Sequence, residues 1–464
     1  MAQVGTDTQP LRVAIFGSGP AAFYAAEHLF KQKNLVIEVD MFDRLPTPFG
    51  LVRGGVAPDH LKIKTVTKVF DGIASNPRFR FFGNVQFGKD VKLAELKEHY
   101  HLILYATGAQ TDRRMGIPGE DLRGSNPATE FVAWYNGHPD YRHHEWNLSV
   151  ERAAVVGVGN VAIDVARLLC LTRDELWESD AADYAVEALS NSKIKEVYLL
   201  GRRGPAQAAF TNPEIKELGE LADADIVTRA DETKLDDLSA ASIADDRMSK
   251  AKVEILQGYA IERSLTKPRR LYLRFLVSPV ELYGDENGSV TKMKLVHNTL
   301  VPTEAGSLAS KATDQFEEIE VGLVFRSVGY RGVPLPDVSF NDRWGVILNQ
   351  MGRVLDAETK QPRVGEYTSG WIKRGPSGVV GTNKPDSVET VNCMLEDLQN
   401  GSILNPSQPD AASMAKLVCE RNPDFFSYAD WRRLDQMELE KGKAIGRPRL
   451  KFTSVAEMKA ALGK

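Results

Sequence analysis

Arg12-Val13-Ala14-Ile15-Phe16-Gly17-Ser18-Gly19-Pro20-Ala21-Ala22 is an apolar run that breaks into glycines and continues into a helix-like segment reaching Lys31. It reads as strand, tight turn and helix. In such a unit the first glycine permits the turn, the second lets the backbone approach a pyrophosphate, and a third small residue, here Ala22, packs helix on strand. The helix start then offers free N–H groups to the phosphates. A glycine turn alone occurs in many α/β proteins, so the reading depends on the next strand. That strand, the apolar run Leu35 to Phe42, ends at Asp43, where a carboxylate can accept both hydroxyls of a ribose.

The pattern occurs twice. Ala153-Ala154-Val155-Val156-Gly157-Val158-Gly159-Asn160-Val161-Ala162 repeats the order of strand, turn and small residues, and leads into a helix-like stretch from Ile163 to Leu171. Its next strand, Glu196 to Gly201, ends in Arg202-Arg203 instead of an acid. A carboxylate there would repel a 2′-phosphate, whereas paired guanidiniums bind one through charge-assisted, often bidentate hydrogen bonds. An ordinary solvated pair is the other reading of the two arginines. The first unit therefore suits a dinucleotide with free adenosine ribose hydroxyls, and the second suits NADP(H). The expected fold class is α/β, with two Rossmann-like dinucleotide-binding domains.

Length and composition bound the rest. A chain of 464 residues is too long for one ordinary core, and length alone suggests about three domains. Hydrophobic residues at 42 % and charged ones at 26 % describe a globular chain. No apolar run approaches the roughly 18 residues that span a bilayer, so no membrane span is expected. A net charge of −5 argues against a nucleic-acid binder held by a basic face. Cys170, Cys393 and Cys419 are far apart and odd in number, so neither a disulfide framework nor a metal site is expected. Without a Cys-x-x-Cys pair the chain cannot pass electrons to its own redox dithiol, nor hold an iron–sulfur cluster by itself. Met1 to Gln9 lacks an apolar signal core or an arginine-rich pattern, and the cytoplasm is the expected location. Nothing in the composition fixes an oligomeric state.

After Asp43 the chain runs Arg44-Leu45-Pro46-Thr47-Pro48-Phe49-Gly50-Leu51-Val52-Arg53-Gly54-Gly55-Val56-Ala57-Pro58-Asp59-His60. The prolines and glycines forbid regular structure, yet the segment is too apolar for a solvated linker, so it reads as an ordered loop packed on a ligand. Leu61 to Ser75 reads as a helix, Arg80 to Phe82 as a strand, Asn84 to Phe87 as a second strand piece, and His101 to Tyr105 as a buried strand running into Ala106-Thr107-Gly108. Thr172 to Ser192 is an extra helical stretch. Asn212 and Pro213 read as the N-cap and first turn of a helix that carries Glu214, a carboxylate favoured there by the dipole. The acidic stretch 222–250 reads as a solvated excursion. Leu271 to Tyr283 and Ser289 to Asn298 alternate as an antiparallel ribbon. Gly365 to Asn383 passes from strand through Trp371 and a glycine turn into a helix from Asp386 to Asn400, whose start favours an electron-rich group.

The string Pro48 to His60, the two glycine motifs and the Gly370-Trp371-Ile372-Lys373-Arg374-Gly375-Pro376-Ser377-Gly378-Val379-Val380 string resemble the adrenodoxin-reductase-like ferredoxin–NADP(+) reductases. The resemblance runs from about Leu11 to Leu404. It implies FAD and NADP(H) domains of the glutathione/adrenodoxin-reductase type: residues 1–115 with 335–408 for FAD, 116–334 for NADP, and a C-terminal extension, 409–464, packed on the surface. It implies FAD contacts at Gly17, Gly19, Pro20, Ala21, Asp43, Gly50, Leu51, Ala106, Thr107 and Gly108, and through the backbone of Phe87. Trp371 would cover the flavin, with Gly378, Val379 and Val380 touching it; core packing is the other reading of Trp371. NADP(H) contacts fall at Gly157, Gly159, Asn160, Val161, Arg202, Arg203 and Glu214. His60 and Glu214 would lie near the reacting rings as polar tuners or proton relays, although either residue also reads as structural. The implied reaction is hydride transfer between NADPH and FAD, then one-electron transfers to or from a ferredoxin or similar iron–sulfur protein.

Such partners are usually acidic, which singles out Lys267, Arg269, Arg270 and Arg274 as a basic docking face or, alternatively, a solvated one. Two other expectations stand beside this one: a reductase subunit of a larger complex, like the small subunit of glutamate synthase, and a nucleotide sensor without turnover. The small subunit carries an N-terminal cysteine cluster that this chain lacks.

Overall fold

The computed structural model describes residues 4–262 and 264–464. The chain divides into two compact units, Met1–Thr111 with Tyr330–Lys464, and Asp112–Gly329.

In the first unit Leu11–Phe16 (β1) is buried at every position, as a parallel strand covered on both faces must be. Its one cation, Arg12, is buried against Glu38 and Asp40 at 2.5 and 2.6 Å. Pro20–Phe30 (α1) comes next, with Gly19 as N-cap and Pro20 in the first turn, where a missing N–H costs nothing. Ile37–Asp43 (β2), Phe79–Gly83 (β3) and Leu102–Tyr105 (β4) continue the sheet. Among the described residues seven strands line up in the order Asn349–Gln350, Arg353–Leu355, Pro362–Thr368, β4, β1, β2, β3. The last five are parallel. Phe16 pairs with both Phe42 and Tyr105, so β1, β2 and β4 end level and place Gly17, Asp43 and Ala106 along one carboxyl edge. That edge is where open α/β sheets bind ligands. The helix Asn383–Gln399 packs close on α1, with the Ser387 hydroxyl donating to the Ala21 carbonyl at 2.9 Å.

Two expectations fail in this unit. Asn84 to Phe87 is not a strand: Asn84 takes φ +63°, and Phe87 makes only an isolated bridge to Val91. Residues 409–464 are not a surface tail either. They form the helices Ala411–Arg421, Tyr428–Ala444 and Val455–Leu462; Trp431 and Leu434 of the second, Met458 of the third and Phe452 between those two lie in the same core cluster as Leu11, Val13 and Phe23.

In the second unit Arg152–Val156 (β5), Asn160–Leu168 (α2), Glu196–Leu200 (β6) and Arg269–Arg274 (β7) repeat the pattern. The sheet order is Ser125–Pro127, Leu323–Arg326, β5, β6, β7, Ala224–Thr228. Ala224–Thr228 lies inside the stretch expected to be solvated, and β7 belongs to the stretch expected to be ribbon; it pairs parallel with β6 instead. The chain reverses at Leu276, which takes φ +56°, and the antiparallel ribbon is formed by Val277–Gly284, Val290–Pro302 and Leu308–Glu320. Among the described residues no helix is long and apolar enough to cross a membrane.

Candidate nucleotide-binding sites

The first cradle is built on β1, its turn and α1. Gly17 has φ +97°, and a Cβ there would stand 2.3 Å from the Ala106 carbonyl oxygen, so only glycine fits. Gly17 N–H donates to Phe42 O at 2.8 Å, and Ala106 N–H donates to Phe16 O at 2.7 Å, which locks the three strand ends together. Gly19 differs: a Cβ on it would meet nothing within 4 Å, and no side chain caps α1. The helix start is therefore left open to an outside acceptor, as a pyrophosphate requires.

Asp43 stands at the end of β2 and is tied to this turn. Its Oδ2 accepts the Ser18 N–H at 2.9 Å and the Ser18 hydroxyl at 2.5 Å, and its Oδ1 accepts the Leu45 N–H at 2.9 Å. A carboxylate has about four acceptor positions, so one remains for a ribose hydroxyl. Burial raises the Asp43 carboxyl above its ordinary range, and the Ser18 hydroxyl and Leu45 N–H oppose that rise.

The loop beyond Asp43 is ordered. Phe49 is buried with φ +84°, its N–H donates to Ser18 O at 2.9 Å, and a Cβ on Gly50 would come within 2.9 Å of Gly19 Cα. Leu51 opens the turn Leu51–Gly54, and half-buried His60 heads the turn Leu61–Lys64. The Phe87 side chain is buried and packs edge-on to Phe16 and Tyr105. Thr107 and Gly108 continue from Ala106, and a Cβ on Gly108, at φ +70°, would meet nothing within 4 Å.

Trp371 is half-buried; its indole N–H donates to Ser377 O at 3.1 Å, and its ring lies 5.5 Å from that of Tyr330. Asp386 fixes the turn before it, accepting the Gly370 N–H at 2.6 Å, with Lys373 Nζ 3.1 Å away. Gly370 has φ +80°, and a Cβ on it would meet Ala21 Cβ at 2.7 Å, so this turn lies against the start of α1. Gly378 has φ +79°; Val379 is 54 % exposed and Val380 is half-buried.

The second cradle reproduces the first. Gly157 has φ +132°, and a Cβ there would stand 2.2 Å from Ser327 O, while a Cβ on Gly159 would meet nothing within 4 Å. Gly159 is the N-cap of α2, again with no side-chain cap. Asn160 Oδ1 accepts the Thr211 N–H at 3.0 Å, tying this turn to the helix Asn212–Glu217, and Val161 is half-buried behind it. Thr211, not Asn212, is the N-cap of that helix; Asn212 is its first residue, and the Asn212 side-chain amide donates to Met248 O at 3.0 Å. Glu214 sits in the first turn, 9 % exposed. Arg167, also buried, has Glu217 and Glu214 among its charged neighbours, and burial lowers its basicity.

At the end of β6, Arg202 is exposed and Arg203 half-buried. Among the described residues neither guanidinium has a carboxylate partner; Arg203 reaches only Gln207 O, at 3.4 Å. Burial, then the adjacent Arg202 charge, lowers the Arg203 pKa from its ordinary value. An uncompensated cation pair at this position favours an anion.

Four other cations are not a docking face. Arg274 is buried between Glu232, at 2.7 Å, and Glu317. Arg270 pairs with Asp225 at 3.3 Å, Arg269 donates to the carbonyls of Cys170 and Leu171, and Lys267 donates to Leu221 O. Their charge is used inside the second unit.

Sequence reading missed the Ser18–Asp43 tie and the left-handed Phe49. Ser18 stands between the two glycines and was the available signal for the first; no local signal marks the second.

The family described as pyridine nucleotide-disulphide oxidoreductase matches residues 11–271. An NADPH-ferredoxin reductase of Mycobacterium tuberculosis is 45 % identical over 461 residues, covering 97 % of this chain and 98 % of that protein. A mitochondrial NADPH:adrenodoxin oxidoreductase of Salvelinus fontinalis is 39 % identical, covering 96 % and 90 %. The solved structure of the Mycobacterium tuberculosis protein FprA in complex with NADPH superposes with a TM-score of 0.93 at 44 % identity, covering 98 % of this chain and 100 % of that one.

Proposed function

Because the chain belongs to the pyridine nucleotide-disulphide oxidoreductase family, we propose that it is an FAD-dependent ferredoxin–NADP(+) reductase. It is an oxidoreductase that takes a hydride from NADPH and delivers electrons to a small iron–sulfur protein. The observation that carries this reading is the pair of like-built cradles closed by opposite charges, Asp43 on the first and, on the second, Arg202-Arg203, which have no carboxylate partner among the described residues.

We assign FAD to the first unit and NADP(H) to the second. Both cradles pass the same test of fit: open space beside Gly19 and Gly159, and helix starts without a side-chain cap. Bound FAD accepts two electrons as a hydride and gives them up one at a time. The protein supplies position and field. Gly19 and the start of α1 hold one pyrophosphate, and Gly159 with the start of α2 holds the other. Asp43 receives a ribose hydroxyl, and Arg202 with Arg203 neutralises the 2′-phosphate. Trp371, on a turn braced by Asp386, and the Gly378–Val380 backbone bound the flavin. His60 and Glu214 are the polar groups assigned to the two rings. With Cys170 and Cys393 buried and no Cys-x-x-Cys in the chain, no internal dithiol takes the electrons. We place this activity in the cytoplasm, where NADPH is kept reduced; cell fractionation checks it.

The decisive test is the absorbance spectrum of the purified protein, combined with cytochrome c reduction with and without added ferredoxin. A flavin spectrum, ferredoxin-dependent turnover with NADPH and much slower turnover with NADH are expected. A protein that binds no FAD, or that binds both nucleotides without turnover, overturns the reading. Stopped-flow flavin reduction in His60→Ala and Glu214→Ala tests those two roles, and an unchanged rate and NADPH affinity in both removes them.

A further inference from the structure

Glu438 lies on the helix Tyr428–Ala444 and is wholly buried, yet it carries a charge. Its two oxygens accept four hydrogen bonds. Arg53 donates to both, at 2.5 and 2.9 Å; Arg449 donates at 2.7 Å and the Phe452 N–H at 2.9 Å. That count saturates a carboxylate. Arg53 and Arg449 hold the Glu438 carboxyl below its ordinary range in spite of burial.

Arg53 is the link outward, because it belongs to the Pro48–His60 loop. Its guanidinium lies over the Trp431 ring, 5.0 Å from the centroid, and the same indole meets the Phe49 ring edge-on at 5.7 Å. Phe49 is the residue held at φ +84°, and its N–H is bonded to Ser18 O beside the first cradle. A left-handed phenylalanine persists only where its surroundings over-determine it. Here Trp431 grips the loop at Phe49, and Glu438 grips it four residues later.

We propose that the 427–464 segment is a clamp on the flavin-side loop, with Glu438 and Trp431 as positioning residues that set how FAD is held without touching it. This deepens the functional reading above and rests on the loop facing FAD. Removing the Glu438 charge leaves Arg53 and Arg449 facing each other in a buried site, which is the costly way to break such a group. The loop then relaxes away from the edge of the first cradle.

The test uses holoenzyme and tracks FAD release after dilution, visible circular dichroism of the flavin under saturating FAD, and the KM for NADPH. Glu438→Gln and Trp431→Phe are the two probes, so that a failure of one to fold leaves the other. Asp435→Asn is the control: it removes the negative charge of the carboxylate 2.7 Å from Arg449 and does not touch Arg53. Both probes are expected to release FAD at least tenfold faster and to alter the flavin dichroism, with the KM for NADPH within twofold of wild type and Asp435→Asn like wild type. Wild-type release rates and dichroism in either folded probe overturn the clamp, as does equal FAD loss in Asp435→Asn. A wild-type protein without FAD would overturn the functional reading instead.

Discussion

Ser18 gives both its backbone N–H and its hydroxyl to one oxygen of Asp43, so the first glycine turn and the end of β2 are fastened as a single piece. Asp43 thus shapes the cradle itself, in addition to the ribose contact proposed for it. Replacing it with alanine removes three hydrogen bonds to a half-buried carboxylate, and bonds to charged groups contribute up to about 1.5–3 kcal/mol each. Asp43→Ala is expected to lower the melting temperature and to weaken FAD retention at least tenfold, read by thermal unfolding and flavin fluorescence.

Gly17 and Gly19 should respond oppositely to the same methyl group. At Gly17 the new Cβ collides with the Ala106 carbonyl in a left-handed backbone, so Gly17→Ala is expected to cost about 2–4 kcal/mol of stability. At Gly19 the backbone has φ −80° and the Cβ enters empty space. Gly19→Ala is expected to fold with stability within about 1 kcal/mol of wild type and to lose FAD affinity. Denaturation and flavin titration on the two variants separate the effects.

The Arg202–Arg203 pair predicts a cofactor preference. Changing both to alanine is expected to raise the KM for NADPH roughly 10–100-fold, from loss of charge-assisted hydrogen bonds. The KM for NADH and the FAD content should stay within about twofold. Parallel steady-state assays with the two nucleotides check it, and an equal loss for both would remove the pair from the phosphate site.

His101 makes stability depend on pH. Its Nδ1 accepts the Arg12 backbone N–H at 3.0 Å, which requires a neutral ring, and burial, then the Arg12 charge, lowers its pKa from 6.5 to about 4. Between those values the unfolded chain binds a proton that the folded chain does not. This contribution is therefore complete above pH 6.5 and falls away as pH drops toward 4, by about 3 kcal/mol. Chemical denaturation at pH 7 and pH 4.5 should show a smaller difference for His101→Gln than for wild type.

The two glycine motifs and their strand-end charges were legible because a tight turn beside a phosphate needs particular residues at fixed places. What escaped is where burial depends on distant partners. Ala224–Thr228 sits among acids and reads as solvated, yet Arg270 neutralises Asp225 from the adjacent strand. Arg274 reads as a surface cation until Glu232 and Glu317, each some forty residues away in sequence, close over it. The C-terminal helices look polar along the chain, and Glu438 makes sense as a core residue only once Arg53 is found against it.

The first sheet is interrupted in sequence, and this governs the order of assembly. By residue 111 a ribosome has made β1 to β4, but the outer side of β4 has no neighbour until Pro362–Thr368 emerges, after all of 112–329 has been synthesised. The contiguous second unit can close its own sheet first, while the nascent first half waits with an unpaired strand edge, the kind of surface that invites aggregation. Holding chaperones should engage this chain during that interval, and a circular permutant that makes the two halves of the first unit consecutive should need them less.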